Sequence, residues 1–147
     1  MRKLPDLVRI HKALAHPVRL RILAMLYRGP LCVCQMTAVL RLAVSTVSAH
    51  LSLLRRSDLV AERKDGKWVE YRLVEDSFGA ARAGMPWEDI EKDPIVIRDQ
   101  ALLKTLRKVP LEELCRVKFD LSRLGILPPV RDRVSSAEAD GPGTVRG

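Results

Sequence analysis

The sequence predicts a mainly α fold with a small β-hairpin: a winged helix-turn-helix flanked by N-terminal and C-terminal helices. Three observations predict it. A short apolar segment, a three-residue turn and a second, clearly amphipathic helix follow one another between residues 31 and 56. Two strand-like runs then flank Asp65-Gly66, a strong two-residue hairpin signal. Basic side chains gather on these same elements.

The elements follow in order. Leu7 to His16 carries Leu7, Val8, Ile10, Ala13 and Leu14, an amphipathic first helix. Pro17 stands where a second helix begins, since proline is favoured at the first helical position. Val18, Leu20, Ile22, Leu23, Met25 and Leu26 make that helix largely buried, and Gly29-Pro30 ends it. Leu31 to Leu40 is apolar, with Met36, Val39 and Leu40 at helical spacing, and Arg41-Leu42-Ala43 is a turn. Ser45 to Arg56 is a helix with Val47, Leu51 and Leu54 toward the core and Ser45, Thr46, Ser48, Ala49, Ser52 and Arg55 on the other side. Leu59 to Lys64 and Lys67 to Leu73 read as strands, with Val69, Tyr71 and Leu73 on an apolar face. A basic hairpin directly after a helix-turn-helix is a wing. Residues 75–93 are acidic and read as a loop. Ile95 to Lys108 is a helix with Ile95, Ala101, Leu102 and Leu106 on one face, and Leu111 to Leu124 is another, ended by Gly125. The domain reading is therefore 1–74 for the first helix and winged unit, 75–93 for the loop, 94–127 for the C-terminal helices and 128–147 for a disordered tail.

The 147 residues suit one compact domain with appendages, and a hydrophobic fraction of 47% excludes a wholly disordered chain. No apolar stretch approaches the roughly 20 residues needed to span a membrane, and the first residues hold no apolar signal-peptide core, so a soluble cytoplasmic protein with no membrane partner is expected. The net charge of +8 is unevenly placed: +6 over residues 1–28, zero over 29–40, +3 over 41–73 and −4 over 74–100. A basic front half favours a polyanion such as double-stranded DNA. The start of a recognition helix reaches base edges in the major groove, so Ser45, Thr46, Ser48 and Ser52 are candidates to face DNA. Arg55, Arg56, Arg63, Lys64 and Lys67 suit phosphates.

Residues from about 13 to 73 resemble the ArsR/SmtB winged-helix repressors. The resemblance rests on Ala13-Leu14-Ala15-His16-Pro17-Val18-Arg19-Leu20-Arg21-Ile22-Leu23, Ser45-Thr46-Val47-Ser48-Ala49-His50-Leu51 and Gly66-Lys67-Trp68-Val69-Glu70-Tyr71-Arg72-Leu73. It implies a homodimer, paired through the flanking helices, that represses transcription and releases DNA when an inducer binds. It also puts Ser45, Thr46 and Ser48 on the recognition helix. Where the family often has Ser-Gln this chain has Ala43-Val44, which removes a helix cap. The family usually has His at the position of His50 whatever the inducer, which favours a structural histidine over a ligand.

Leu31-Cys32-Val33-Cys34 is similar to the Cys-Val-Cys segment of the arsenic- and antimony-responsive branch. Thiolates are soft ligands, and trivalent arsenic and antimony are thiophilic centres that prefer three sulfurs. The alternative is that both cysteines are small buried hydrophobes. Cys32 and Cys34 are expected to begin the first helix of the DNA-reading unit, where side chains two residues apart do not face each other. Related sensors often carry another Cys three residues on, where this chain has Thr37, so Cys115 is the remaining candidate third ligand, or else a core residue, with a site of two thiolates and an external thiol equally open. Zinc is disfavoured: sensors of that kind use Asp, His and Glu on the C-terminal helix, and His11, His16 and His50 all precede it. The expectation is As(III) or Sb(III) as inducer and no permanently bound cofactor, with a thiol-redox or persulfide switch as the alternative. Nothing places a His–carboxylate pair beside a cysteine, and no phosphate-cradling glycine loop is present, so an enzyme is not expected.

Overall fold

A computed structural model describes residues 2–127. Helix α1 (Leu4–Leu14) starts before Leu7, with Pro5 in its first turn and the Asp6 carboxylate accepting the Lys3 backbone N–H at 3.3 Å. Helix α2 (Pro17–Tyr27) begins at the proline, and His16 caps it, Nδ1 accepting the Val18 N–H at 3.1 Å. Ile22 to Leu26 are all buried, so α2 is the central helix around which the others pack.

Gly29 turns the chain out of α2 with φ +138°, a region essentially restricted to glycine. A Cβ there would also stand 3.4 Å from the Arg107 guanidinium, which donates to the carbonyls of Gly29 and Pro30. Gly29→Ala is expected to lose about 1–3 kcal/mol in urea unfolding. Gly66→Ala, at φ +58° with open space around it, is expected to lose less. Equal losses would show that the Arg107 contact is irrelevant.

Strand β1 (Leu31–Cys32) runs directly into helix α3 (Val33–Leu40), and helix α4 (Val44–Arg56) follows at 116° to it, a helix-turn-helix angle. Arg41 makes the turn in the left-handed region, φ 56°, its N–H donating to the Thr37 carbonyl at 2.9 Å. Strands β2 (Val60–Asp65) and β3 (Trp68–Leu73) form the wing, in an antiparallel sheet of order β1-β3-β2. The hairpin is where the sequence placed it, but its loop is Gly66-Lys67, one residue later than expected, because Asp65 pairs with Trp68. Of these loop residues only Gly66 has positive φ. The apolar face also differs: Val69 is exposed near the loop, beyond the reach of the core, while Trp68, Tyr71 and Leu73 pack against it.

Residues 75–93 are not a loop. They form helix α5 (Glu75–Ala83) and helix α6 (Trp87–Lys92), each anchored by one buried aromatic. The rings of Phe78 and Trp87 meet edge-on at 5.2 Å, and Tyr27 of α2 joins both. Helix α7 (Pro94–Leu106) is capped by Asp93, whose side chain accepts the Ile95 N–H at 2.9 Å. Its buried residues are Val96, Asp99, Leu102, Leu103 and Leu106, whereas Ile95 and Ala101, expected inside, are exposed. The helix is rotated because Asp99 turns inward to meet Arg21. The last predicted helix is broken. Helix α8 (Leu111–Arg116) stops, Lys118 and Phe119 adopt left-handed φ of 53° and 63°, and a 3-10 turn, Leu121–Leu124, follows. The reversal lets the Phe119 N–H reach the Leu114 carbonyl and Asp120 cap the Ser122 N–H, both at 3.0 Å. Gly125 ends the turn as predicted, at φ 72°. The tail predicted for 128–147 lies outside the described residues. Among the described residues no single helix is long and apolar enough to cross a membrane.

Candidate nucleic-acid interface and thiol cluster

Helix α4 is fixed by Val47, Leu51 and Leu54, each fully buried at the spacing the sequence predicted. That leaves Ser45, Thr46 and Ser48 exposed on one free face, with Ser52 half-buried below them. Ala43 is the N-cap and supplies no side-chain acceptor to the first-turn amides. The helix therefore presents small hydroxyls and open backbone donors at the end that a recognition helix points at DNA.

The basic candidates divide. Arg63 and Lys64 are exposed on the wing and make no ion pair among the described residues. As neighbours on a strand they point to opposite faces. Arg55 is already engaged: its guanidinium donates to Glu62 at 2.6 Å, and Tyr71 donates to the other oxygen at 3.0 Å. Glu62 thus ties the end of α4 to both wing strands. Arg56 reaches the Ser52 carbonyl at 3.4 Å and stays exposed. Lys67, at the wing tip, sits 5.1 Å over the Trp68 ring and 3.7 Å from Glu112 of α8.

His50 is a scaffold residue. Its Nδ1 is 3.2 Å from the Arg19 guanidinium, and its ring packs 4.5 Å from that of His16. Arginine has only donors, so Nδ1 must be the lone-pair nitrogen and the imidazole neutral. Burial, then His16 and Arg19, pushes its pKa down. The same Arg19 donates to the Ala13 and Lys12 carbonyls at 2.7 and 3.0 Å, joining the end of α1 to α2 and α4.

Cys32 and Cys34 stand at the start of α3, as expected, but Cys32 itself is extended. It is the last residue of β1 and the N-cap of α3, extended at φ −80° and ψ 155°, with its N–H held by the Gln35 side chain at 2.9 Å. Long-range pairing of β1 with β3, Cys32 opposite Glu70, holds it extended. Cys34 lies in the first turn of α3. The two residues are 8% and 7% exposed. Helix α8 packs on α3 and brings half-buried Cys115 close enough for its charge to act on both. Burial pushes the Cys34 thiol up to about 12, with Cys32 and Cys115 adding to it. Burial also raises Cys32, helped by Glu70 and Asp65 and opposed by the neighbouring Cys34. All three cysteines are free. Among the described residues no group of three or more His, Cys, Asp or Glu side chains is disposed to hold a metal ion, so the thiols are neighbours rather than an assembled site.

The sequence reading missed the polar clasp between α7 and α2. Arg21 grips Asp99 with two bonds of 2.8 and 2.9 Å, and Gln100 donates to the Ala24 carbonyl at 2.8 Å. The signal was present: Asp99 stands three residues after Val96 and four before Leu103, on what is the apolar face.

Residues 16–62 match the family described as bacterial regulatory protein, arsR family. The chain is similar to the arsenical resistance operon repressor of Escherichia coli K12, 45% identical over 67 residues, or 45% of this chain and 57% of that one. It is similar to an uncharacterised helix-turn-helix regulator of Methanocaldococcus jannaschii, 38% identical over 77 residues, 52% of this chain and 86% of that one. Among solved structures it resembles the homodimeric winged helix-turn-helix DNA-binding domain of a possible ArsR-family regulator of Mycobacterium bovis, with a TM-score of 0.52 and 31% identity over 62% of this chain and 87% of that one. The chain thus spans little more than half the length of the Escherichia coli repressor. These relatives are regulators, and the family match runs from the start of α2 to the first residues of β2.

Proposed function

The chain belongs to the ArsR family of bacterial regulatory proteins, and from that premise we propose that it is a homodimeric repressor of double-stranded operator DNA. Release follows when As(III) or Sb(III) closes on the thiols of Cys32, Cys34 and Cys115. The observation that supports this reading is that β1, α3 and α8, neighbours in the fold, each carry a free thiol. Their donor set is wholly soft, which suits a thiophilic trivalent centre. Burial and the raised pKa of Cys32 and Cys34 disfavour the redox or persulfide alternative, because thiolate is the reactive form.

The coupling follows from where the thiols sit. Cys32 belongs to β1, which is laddered to β3 of the wing, and Cys34 belongs to α3, which packs on α4. Cys115 rides on α8, whose Glu112 faces the wing-tip Lys67. Drawing the sulfurs together shifts β1 and α3 against α8, and the wing and recognition helix follow. Dimeric readers must match half-sites about 34 Å apart, so a small reorientation lowers affinity. Dimer contacts are assigned to the flanking helices, where Leu4 of α1 is 74% and Ile97 of α7 is 55% exposed.

The test is a titration of the reduced protein, on an operator selected from randomised duplexes, with arsenite, antimonite, zinc and polysulfide in turn. Release by arsenite and antimonite supports the reading; an intact complex with both, or release by polysulfide alone, overturns it. A second prediction concerns the wing. Arg63→Ala and Lys64→Ala should each weaken binding to all sequences alike and lower the slope of log K against log salt by about 0.9 per phosphate contact removed. An unchanged slope in both would take the wing off the DNA.

A further inference from the structure

A carboxylate stands among the basic groups of the DNA-reading unit. Glu62 of β2 links the last turn of α4 to the other strand of the wing. One of its oxygens accepts from the Arg55 guanidinium at 2.6 Å, and the other accepts from the Tyr71 hydroxyl at 3.0 Å. Glu62 and Tyr71 are directly opposed in the β2–β3 ladder, so their side chains share one face of the sheet. An exposed ion pair alone is worth little, because two long side chains must be ordered to make it. Here Tyr71 orders the carboxylate first. Burial, then the bond to Glu62, raises the Tyr71 pKa, so the phenol stays protonated and keeps donating.

The consequence lies in the charge that reaches DNA. A cation that neutralises a phosphate releases condensed counterions, and this sequence-independent gain supplies essentially all of non-specific binding. Arg55 cannot add to it in full. The Arg55 and Glu62 side chains are both nearly half exposed, so a phosphate can approach them. To reach that phosphate, however, Arg55 must leave Glu62, and the carboxylate is then left uncompensated beside a polyanion. Arg63 and Lys64, which make no ion pair among the described residues, face no such exchange.

We propose that Glu62 is a specificity-determining residue. It holds Arg55 away from the phosphate backbone, which weakens the grip on unrelated DNA. It also pins the wing to the recognition helix, so that the contacts that read bases keep their geometry. This role rests on the DNA-binding reading above and is independent of the inducer.

The test measures binding of the reduced full chain to the selected operator and to an unrelated duplex of equal length over a range of salt. Arg55→Gln in the parent should leave the slope of log K against log salt unchanged. Glu62→Gln offers one acceptor oxygen instead of two and no charge, so Arg55 is freed. Its slope should steepen by about 0.9 on both duplexes, the value of one phosphate contact, which at about 0.1 M salt is roughly eightfold tighter binding to the unrelated duplex. The operator should gain less, because the wing is no longer pinned, and the ratio of the two affinities falls. Adding Arg55→Gln to Glu62→Gln should return the slope to that of the parent. The proposal is overturned by loss of a full contact in Arg55→Gln alone, by an unchanged slope or affinity ratio in Glu62→Gln, or by a steeper slope that survives in the double variant. A parent that binds neither duplex fails the DNA reading itself, and this role with it.

Discussion

Cys34→Ser leaves DNA binding intact and abolishes its reversal by arsenite. Serine keeps the shape of the buried side chain but offers a hard oxygen where the inducer needs a soft sulfur. Coupling between inducer and DNA is of the order of 1–3 kcal/mol, so roughly a 5- to 150-fold loss of operator affinity on adding arsenite should shrink to none. Cys32→Ser should behave alike, since both thiols come from the short β1–α3 junction. Cys115→Ser separates a three-thiol site from a two-thiol one: a smaller arsenite effect and weaker arsenite binding support the former, and unchanged values restrict the site to Cys32 and Cys34. Full inducibility of Cys34→Ser would end the metalloid reading.

The same experiment run at pH 6 and pH 8 sharpens it. Burial holds Cys34 protonated, up to about 12, and raises Cys32 as well, so both are thiols throughout this range. A divalent ion binding two such thiols must expel two protons, and its affinity falls about 100-fold per unit of pH lowered. Arsenous acid is different. It carries three hydroxides and meets three thiols, forming three As–S bonds and three waters, with no net proton released. The arsenite concentration for half release should therefore stay within about threefold between pH 6 and 8 while that for cadmium or zinc moves strongly. A steep arsenite profile would show that thiolates, not thiols, are the binding form.

The parts of the fold legible in the sequence are those decided locally. Helix α4 shows its period in Val47, Leu51 and Leu54, and the wing announces itself by a glycine between β-rich runs. What escaped depends on distant partners. Cys32 is extended because β1 pairs with β3, about forty residues away, and no local pattern in Leu31-Cys32 asks for a strand. Helices α5 and α6 were hidden because each buries a single aromatic amid acids and small residues, too weak a period to register. The break after α8 needs Lys118 and Phe119 in left-handed backbone, which neither residue signals. For the site, the hydroxyl face of α4 was readable, and so was the Cys pair. Capture of Arg55 by Glu62 was not, since it joins a helix end to a strand.

Asp99→Ala is expected to be strongly destabilising. Asp99 is 1% exposed and meets Arg21 through two bonds of 2.8 and 2.9 Å. The partner is itself mostly covered, its side chain 16% exposed, and the Asp99 bond raises its pKa, so Arg21 stays charged. Removing the carboxylate leaves a guanidinium with no counter-ion at the α2–α7 seam, a loss of about 3–5 kcal/mol. Removing both charges is different. Arg21→Met with Asp99→Leu fills the seam with apolar groups and should recover most of that loss, because an ion pair withdrawn from water gains little over a packed hydrophobic pair. Urea unfolding at one fixed protein concentration measures all three variants, and the deficit of Asp99→Ala should persist in high salt, which screens exposed charges but not this one. A loss under about 1 kcal/mol in Asp99→Ala, or a double variant no better than the single, would mean that Gln100 and the apolar contacts of α7 hold the seam without the ion pair.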